Sequence, residues 1–443
     1  MGSMIAGDVR LSDRGDWLID RIVATGSLVL RRIGGDRAGE VASHRFLDNA
    51  RVRTAAIVDT LGARTRAACA GRRIVAVQDT TEVNFAGRDR ARHGLGPAGN
   101  GKALGFFIHP VVAVDAEDEA VLGLVDADIW MRDGAPPPAR RLRRLEDKES
   151  RRWLDGAVSA AARLEAAREV IVVGDAESDI YGVFARRPEG VGLIVRVAQN
   201  RTLASDERLF DAALDARGEL LVAVCAKPGQ KARDARLRLR AGALARPRNT
   251  MDRNDPDCLV LNMVETVETA PPKGVKALHW RLYTTLPVEC AEQVAEVVRL
   301  YRLRWRIEEV FRVLKSDGLK LEDNQLQEAG RLFKLAALGL AAAVRIVQLT
   351  DARDGGSRPA TDVIDAELID PIAAIGKTLE GKTQRQKNHH PKGSLAWLAW
   401  ITARLGGWNC YYKPPGPKTM ATGWKQLATM LQGYLMAEDQ ALV

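Results

Sequence analysis

Ile74-Val75-Ala76-Val77-Gln78-Asp79 and, further along, Val170-Ile171-Val172-Val173-Gly174-Asp175 share one pattern: a short β-branched run that closes on an aspartate. Each run is too short for a helix and almost wholly apolar, so each reads as a buried strand delivering an acid at its C-terminal tip. Between them, Phe106–Asp115 and Val121–Trp130 read as two more strands. Asp115–Glu119 is the turn joining them, and the Gly/Asn-rich stretch Gly94–Gly101 precedes them. A break at Pro136–Pro138 leads into an Ala/Arg/Glu helix from about Glu149 to Arg168. Beyond Asp175 come a short helix near Ser178–Arg186 and a fifth strand, Gly192–Val197.

The order is therefore three strands, helix, strand, helix, strand, with acids closing the first and fourth strands. That is the order of the ribonuclease-H-like α/β fold, in which those two tips are neighbours. Residues 199–291 interrupt it with period-2 segments (Leu220–Ala226, Arg236–Ala241, Leu259–Val267, Trp280–Thr285) set between Pro, Gly, Asn and Asp clusters, the texture of an all-β insertion. Helical periodicity returns from Val288 and runs through the Ala-rich Leu332–Leu349; a Gly/Asp-rich linker, Asp351–Asp362, precedes a last, mainly helical region. Ahead of the first strand, Trp17, Leu18, Ile22 and Val23 recur at helical spacing. The expected division is residues 4–70, helical; 71–198 with 292–349, the catalytic core; 199–291, the insertion; and 363–443, helical.

A chain of 443 residues exceeds one ordinary domain. Its five cysteines (Cys69, Cys225, Cys258, Cys290, Cys410) are scattered, with no CxxC pair, which argues against a disulfide framework or a sulfur-bound metal. No apolar run approaches transmembrane length and no leader pattern opens the chain, so a cytoplasmic protein without a membrane partner is expected. The net charge of +9 is modest, but it is unevenly placed. From Pro371 to Val443 nine Lys/Arg stand against three acids, a surface suited to a phosphate backbone or simply to solvent.

Chemistry concentrates around Tyr301, Arg304, Glu308 and Lys315. At about 100° per residue these four fall within about 60° of one another on a helix. Leu303, Ile307, Val310 and Leu314 form a separate apolar stripe, and Arg302, Arg306 and Glu309 a third, solvated side. Alone, such a helix is an amphipathic surface with i,i+4 pairs such as Arg304–Glu308, worth only about 0.3–0.5 kcal/mol. Beside Asp79 and Asp175, however, Glu308 completes a three-carboxylate set. Carboxylate oxygen suits Mg²⁺, and two such ions about 3.5–4 Å apart support in-line displacement at phosphorus. Asp179 and Glu177 are alternative acids, Asp179 being more often a helix-start residue. Asp126 and Asp128 read as a polar strand face. The six histidines show no HxxxH spacing, and His109 reads as a satisfied sheet histidine.

The spacing Tyr301-x2-Arg304-x3-Glu308-x6-Lys315 resembles the signature helix of bacterial cut-and-paste DDE transposases of the insertion-sequence-four or transposon-five-like group. Gln78-Asp79-Thr80-Thr81 resembles that family's first-aspartate motif and Gly174-Asp175-Ala176-Glu177-Ser178-Asp179 its second. Ile129–Arg132, Lys148–Ser150, Trp280–Pro287 and Leu405–Trp408 stand in the expected order. The resemblance implies that Asp79, Asp175 and Glu308 are catalytic and bind Mg²⁺, two ions per site, with Mn²⁺ able to substitute. Tyr301, Arg304 and Lys315 would contact double-stranded DNA at the transposon end. Trp280 would take the place of a base-stacking tryptophan, or be simply a strand tryptophan, and Arg196 that of a basic residue near the site. It further implies an N-terminal DNA-binding domain, here short against the family pattern and assigned no end-recognition contacts, together with hairpin formation and resolution, strand transfer of 3′-OH ends into target DNA, and a homodimeric synaptic complex built on the C-terminal helices. Two other readings stand beside it, a non-catalytic DNA-binding relative that regulates transposition and a structure-specific nuclease on the same fold.

Overall fold

Both acid-terminated runs form six-residue strands in which every residue after the first is buried, the pattern of a strand covered on both faces. The computed structural model describes residues 9–85, 93–99, 101, 103–134, 143–224, 231–248, 250, 252–356 and 358–441. Four helices come first: α1 (Val9–Thr25), α2 (Leu30–Gly34), α3 (Arg37–Asp48) and α4 (Thr54–Cys69). Five strands follow: β1 (Arg73–Gln78), β2 (Thr81–Asn84), β3 (Gly96–Ala98), β4 (Ala103–Asp115) and β5 (Val121–Trp130). Next are α5 (Arg152–Arg163), β6 (Glu169–Gly174), α6 (Tyr181–Ala185) and β7 (Val191–Arg196). Then come β8 (Asp215–Val224), β9 (Arg233–Pro247), β10 (Cys258–Glu268) and β11 (His279–Thr284). The chain ends in α7 (Ala291–Arg302), α8 (Trp305–Arg312), α9 (Ala329–Asp351), α10 (Ile369–Leu379), α11 (Leu395–Leu405) and α12 (Pro417–Ala441).

The alternation expected between β1 and β7 is present, with the short β2 and β3 added to it. The long helix expected to reach Arg168 stops at Arg163, after a 3-10 turn at Glu149–Arg151. Its last residues serve the strands instead, Ala166 O accepting from Gly71 N (2.8 Å) and Arg168 N donating to Arg72 O (2.8 Å). The break at Pro136–Pro138, Asn100 of the glycine-rich stretch, and Cys225 lie outside the described residues.

The chain divides into two units. One comprises Gly71–Asp79 and Pro136–Trp305. Its strands run in the order β1-β6-β7-β11-β10-β9-β8, a large mixed sheet. β1, β6 and β7 are parallel; β11 joins β7 antiparallel, with Leu282 opposite Arg196, and the remaining strands continue antiparallel to the edge. The strands of 199–291 thus extend the sheet of β1, β6 and β7 rather than build one of their own.

The other unit comprises Met1–Ala70, Thr80–Ala135 and Arg306–Val443. β4 is buried almost throughout and pairs antiparallel with β2, β3 and β5. Against β5 pack α4 and α9. Thr65 of α4 donates to Leu124 O at 2.6 Å, and a Cβ at Gly123 would stand 2.2 Å from that hydroxyl, so glycine there lets helix and strand meet. α9 is long and apolar enough to cross a membrane, but its apolar stretch is 78% buried within the protein, as in a core helix.

Arg306, expected on a solvated side, is held inside this unit. It donates to Glu119 O at 3.1 Å and pairs with Asp351 at 2.9 Å and Glu309 at 3.1 Å. Asp351, which also accepts from Val121 N, is so enclosed that burial pushes its carboxyl up to about 6 against the pull of Arg306. The folded protein therefore holds this proton more tightly than the unfolded chain does. The contribution is full below about pH 4 and is lost as pH rises through about 6. Unfolding free energies from urea titrations should accordingly shift in favour of the wild type, relative to Asp351→Asn, by on the order of 2 kcal/mol as the pH falls from 7 to 4.5. A gap that does not change with pH would contradict this.

Candidate active site

Asp79 and Asp175 are brought side by side by strand register. The β1–β6 pair keeps a constant offset from Arg73↔Glu169 to Val77↔Val173, and that offset, carried two residues past the last pair, makes Asp79 the counterpart of Asp175 just beyond the strand ends. Adjacent strands lie about 4.8 Å apart, so the two acids share one end of the sheet. Asp175 also caps the 3-10 turn Ala176–Ser178: its Oδ1 accepts from Glu177 N at 2.7 Å, and its carbonyl accepts from Ser178 Oγ at 2.6 Å. Beneath the tips lies fully buried Trp153 of α5, whose carbonyl accepts from Gln78 Nε2 at 3.0 Å.

Gly174 is required by this packing, since a Cβ there would come within 2.3 Å of Ser178 Oγ and 3.2 Å of the Trp153 ring. Gly174→Ala should cost about 1–3 kcal/mol in urea unfolding and displace the turn that orients Asp175. An unchanged midpoint would mean that the turn yields freely.

Arg304 Nη1 donates to Asp79 Oδ2 at 2.7 Å, with both side chains nearly enclosed (11% and 12% exposed). Its guanidinium also lies over the Trp305 ring, 5.1 Å from the centroid. Tyr301, buried on α7, meets the Trp280 ring at 6.1 Å and 62°. Burial pushes the Tyr301 phenol up; Arg304, which hydrogen-bonds it, and Arg196 pull the other way, and Asp175 adds to the rise. Arg196 is exposed at the end of β7, and Trp280 is half-buried on β11. Asp79, Asp175, Arg196, Trp280, Tyr301 and Arg304 thus all belong to one unit.

Glu308 and Lys315 belong to the other. Glu308 stands half-buried in the first turn of α8. Lys315 lies in a π-helical turn, Val313–Asp317, where it donates to Glu82 O at 2.5 Å and pairs with Glu322 at 3.2 Å. The expectation of one helix carrying Tyr301, Arg304, Glu308 and Lys315 on a single face is corrected accordingly. α7 ends at Arg302, and tight bonds from Leu303 N to Leu300 O and from Arg304 N to Tyr301 O make a turn before α8 begins. The π turn then lets the consecutive Val313 and Leu314 both bury fully. A uniform rotation per residue does not survive these two breaks.

Arg246, which nothing in the sequence singles out, pairs with Asp179, one of the two alternative acids. Asp179 is not a helix-start acid on the surface: its side chain is fully buried and accepts from Arg246 Nη1 at 2.9 Å. Glu177 points to solvent and pairs with Arg152 at 2.8 Å. His109 is a buried sheet residue bonded to Thr80 Oγ1 at 2.9 Å.

Among the described residues no group of three or more His, Cys, Asp and Glu side chains gathers closely enough to hold a metal ion. Mg²⁺ needs less, because it commonly takes one or two carboxylates and fills the rest of its shell with water and substrate phosphate. Adjacent Asp79 and Asp175 fit that requirement, and Asp79 already carries a cationic group in Arg304.

Residues 143–344 match the family model of the transposase DDE domain. The matched span holds Asp175, Arg196, Trp280, Tyr301, Arg304, Glu308 and Lys315; Asp79 precedes it. The match supports a DDE transposase, an enzyme whose substrates are DNA and whose domain class generally uses divalent metals.

Proposed function

We propose that this chain is a cut-and-paste transposase of the insertion-sequence-four or transposon-five-like group, acting on transposon ends and inserting their 3′-OH ends into target DNA. The observation that carries the reading is the pair of strand-end aspartates in register, with Arg304 seated on one of them. Residues 71–198 and 292–349 would be its ribonuclease-H-like core, 199–291 the insertion, 4–70 the DNA-binding domain and 363–443 the dimerisation region of a homodimeric synaptic complex.

Asp79 and Asp175 would hold the metal, and Glu308 is the third carboxylate that the family resemblance assigns to it. Bound there, Mg²⁺ would polarise the scissile phosphodiester and favour deprotonation of the attacking water or hydroxyl. Arg304, Lys315 and Arg196 supply positive charge for phosphates flanking the scissile bond, and the protonated Tyr301 phenol donates a hydrogen bond. Trp280, half-buried against Tyr301, offers an aromatic platform for a base drawn out of the stack, which hairpin formation between the two strands requires.

The test is a duplex carrying one inverted-repeat end, incubated with the protein and Mg²⁺. Nicked, hairpinned and target-joined products are expected in that order. Cleavage without joining would reassign the protein as a nuclease, and binding without processing in either Mg²⁺ or Mn²⁺ as a non-catalytic regulator.

A further inference from the structure

Asp179 and Arg246 form an ion pair sealed from solvent, with side chains 0% and 1% exposed. Burying two charges in this way generally costs as much as their attraction returns, so such a pair is a poor source of stability and calls for another reason. Its connections supply one. Asp179 ends the turn that Asp175 begins, so the turn is pinned at the front by the Asp175 cap and at the rear by the Asp179 carboxylate. The Asp179 Oδ2 accepts from Ala198 N at 3.1 Å, two residues beyond Arg196, while Arg201 donates to the Asp179 carbonyl at 3.0 Å. The third arm is Arg246 of β9, whose strand lies beyond β11 and β10 in the sheet.

Arg246 is committed to this contact. Its Nε and Nη2 have no hydrogen-bond partner, and its guanidinium lies 5.4–5.8 Å from the centroids of Tyr181, Phe184 and Tyr283. An aromatic cage so placed holds the cation at one spot and aims one edge at Asp179.

We propose that Asp179 and Arg246 are a positioning pair through which the strands of 199–291 set the Asp175 carboxylate and the Arg196 strand end. The inference rests on the reading of Asp175 as a metal-holding residue.

The experiment is Mn²⁺ titration of the DNA-free full chain by electron paramagnetic resonance, beside urea unfolding. Asp179→Leu/Arg246→Met replaces the two fully buried charges by apolar groups, while Arg201, 3.5 Å from the Asp179 carboxylate and 20% exposed, keeps its bond to the Asp179 carbonyl. This double variant should unfold cooperatively yet bind Mn²⁺ about tenfold more weakly, and need correspondingly more Mg²⁺ for half-maximal end cleavage. Should it fail to fold, Arg246→Lys keeps a charge on Asp179 without the planar fork and should weaken Mn²⁺ binding about threefold or more. A folded variant with wild-type Mn²⁺ affinity overturns the proposal. Asp175→Asn separates the two failures. If it too leaves Mn²⁺ binding unchanged, the reading of Asp175 has failed; if it weakens binding while the pair variants do not, the positioning role alone has failed.

Discussion

Asp175→Asn should lower Mg²⁺-dependent end cleavage by about 10³-fold or more while end binding stays within a few-fold of wild type. The size follows from what a metal carboxylate does: the stabilisation of developing charge is worth several kcal/mol, and each 1.36 kcal/mol is a factor of ten in rate. The separation from binding follows from local geometry. The Asp175 Oδ1 accepts from Glu177 N, a bond that an asparagine oxygen can still accept, so the turn and its Ser178 contact persist. Asp79→Asn should be as inactive but a poorer instrument, because it removes the carboxylate charge that faces nearly enclosed Arg304. Single-turnover cleavage of an end duplex, with binding measured separately, is the assay. Near-normal cleavage by Asp175→Asn would remove this residue from the chemistry.

Arg304→Met should have two opposed effects. On the proposed function, the guanidinium and a metal ion would compete for Asp79 in the absence of DNA, and the present 2.7 Å bond belongs to the guanidinium. A charge-assisted hydrogen bond in such a setting is worth about 1.5–3 kcal/mol, so releasing Asp79 should tighten Mn²⁺ binding about tenfold or more. With an end duplex, the same change would, on the proposed function, delete a phosphate contact and should weaken binding by a similar factor, more so at low salt. Together these predict that DNA, by drawing Arg304 onto phosphate, raises metal affinity at Asp79, and that the coupling is reciprocal. If the Arg304→Met chain binds Mn²⁺ no better than wild type, Arg304 is not the competitor at Asp79.

The elements that carry the aspartates were legible because the signals involved are local. A β-branched run with an acid at its end states its own secondary structure, and period-2 segments state theirs, as β5 and β9 to β11 illustrate. The length of β9 was underestimated because Gly242 breaks its visible alternation, although the strand continues to Pro247 against β10. The helix of Tyr301 and Glu308 was misjudged for a related reason. Period counting assumes one geometry from end to end, and neither the turn at Leu303–Arg304 nor the π turn leaves a mark in composition.

Sequence alone determined which residue types end which strands, and so nominated Asp79 and Asp175, while helical spacing nominated Glu308 beside them. Only the tertiary structure decided which charge answers which. Arg304 reaches Asp79 across 225 positions, Arg246 finds Asp179 across 67, and Arg306 turns inward to Asp351. The physical reason is range. Backbone propensity and burial periodicity act over a few residues and can be read along a chain, whereas the partner of a buried charge is set by desolvation, which depends on what the folded sheet and helices enclose.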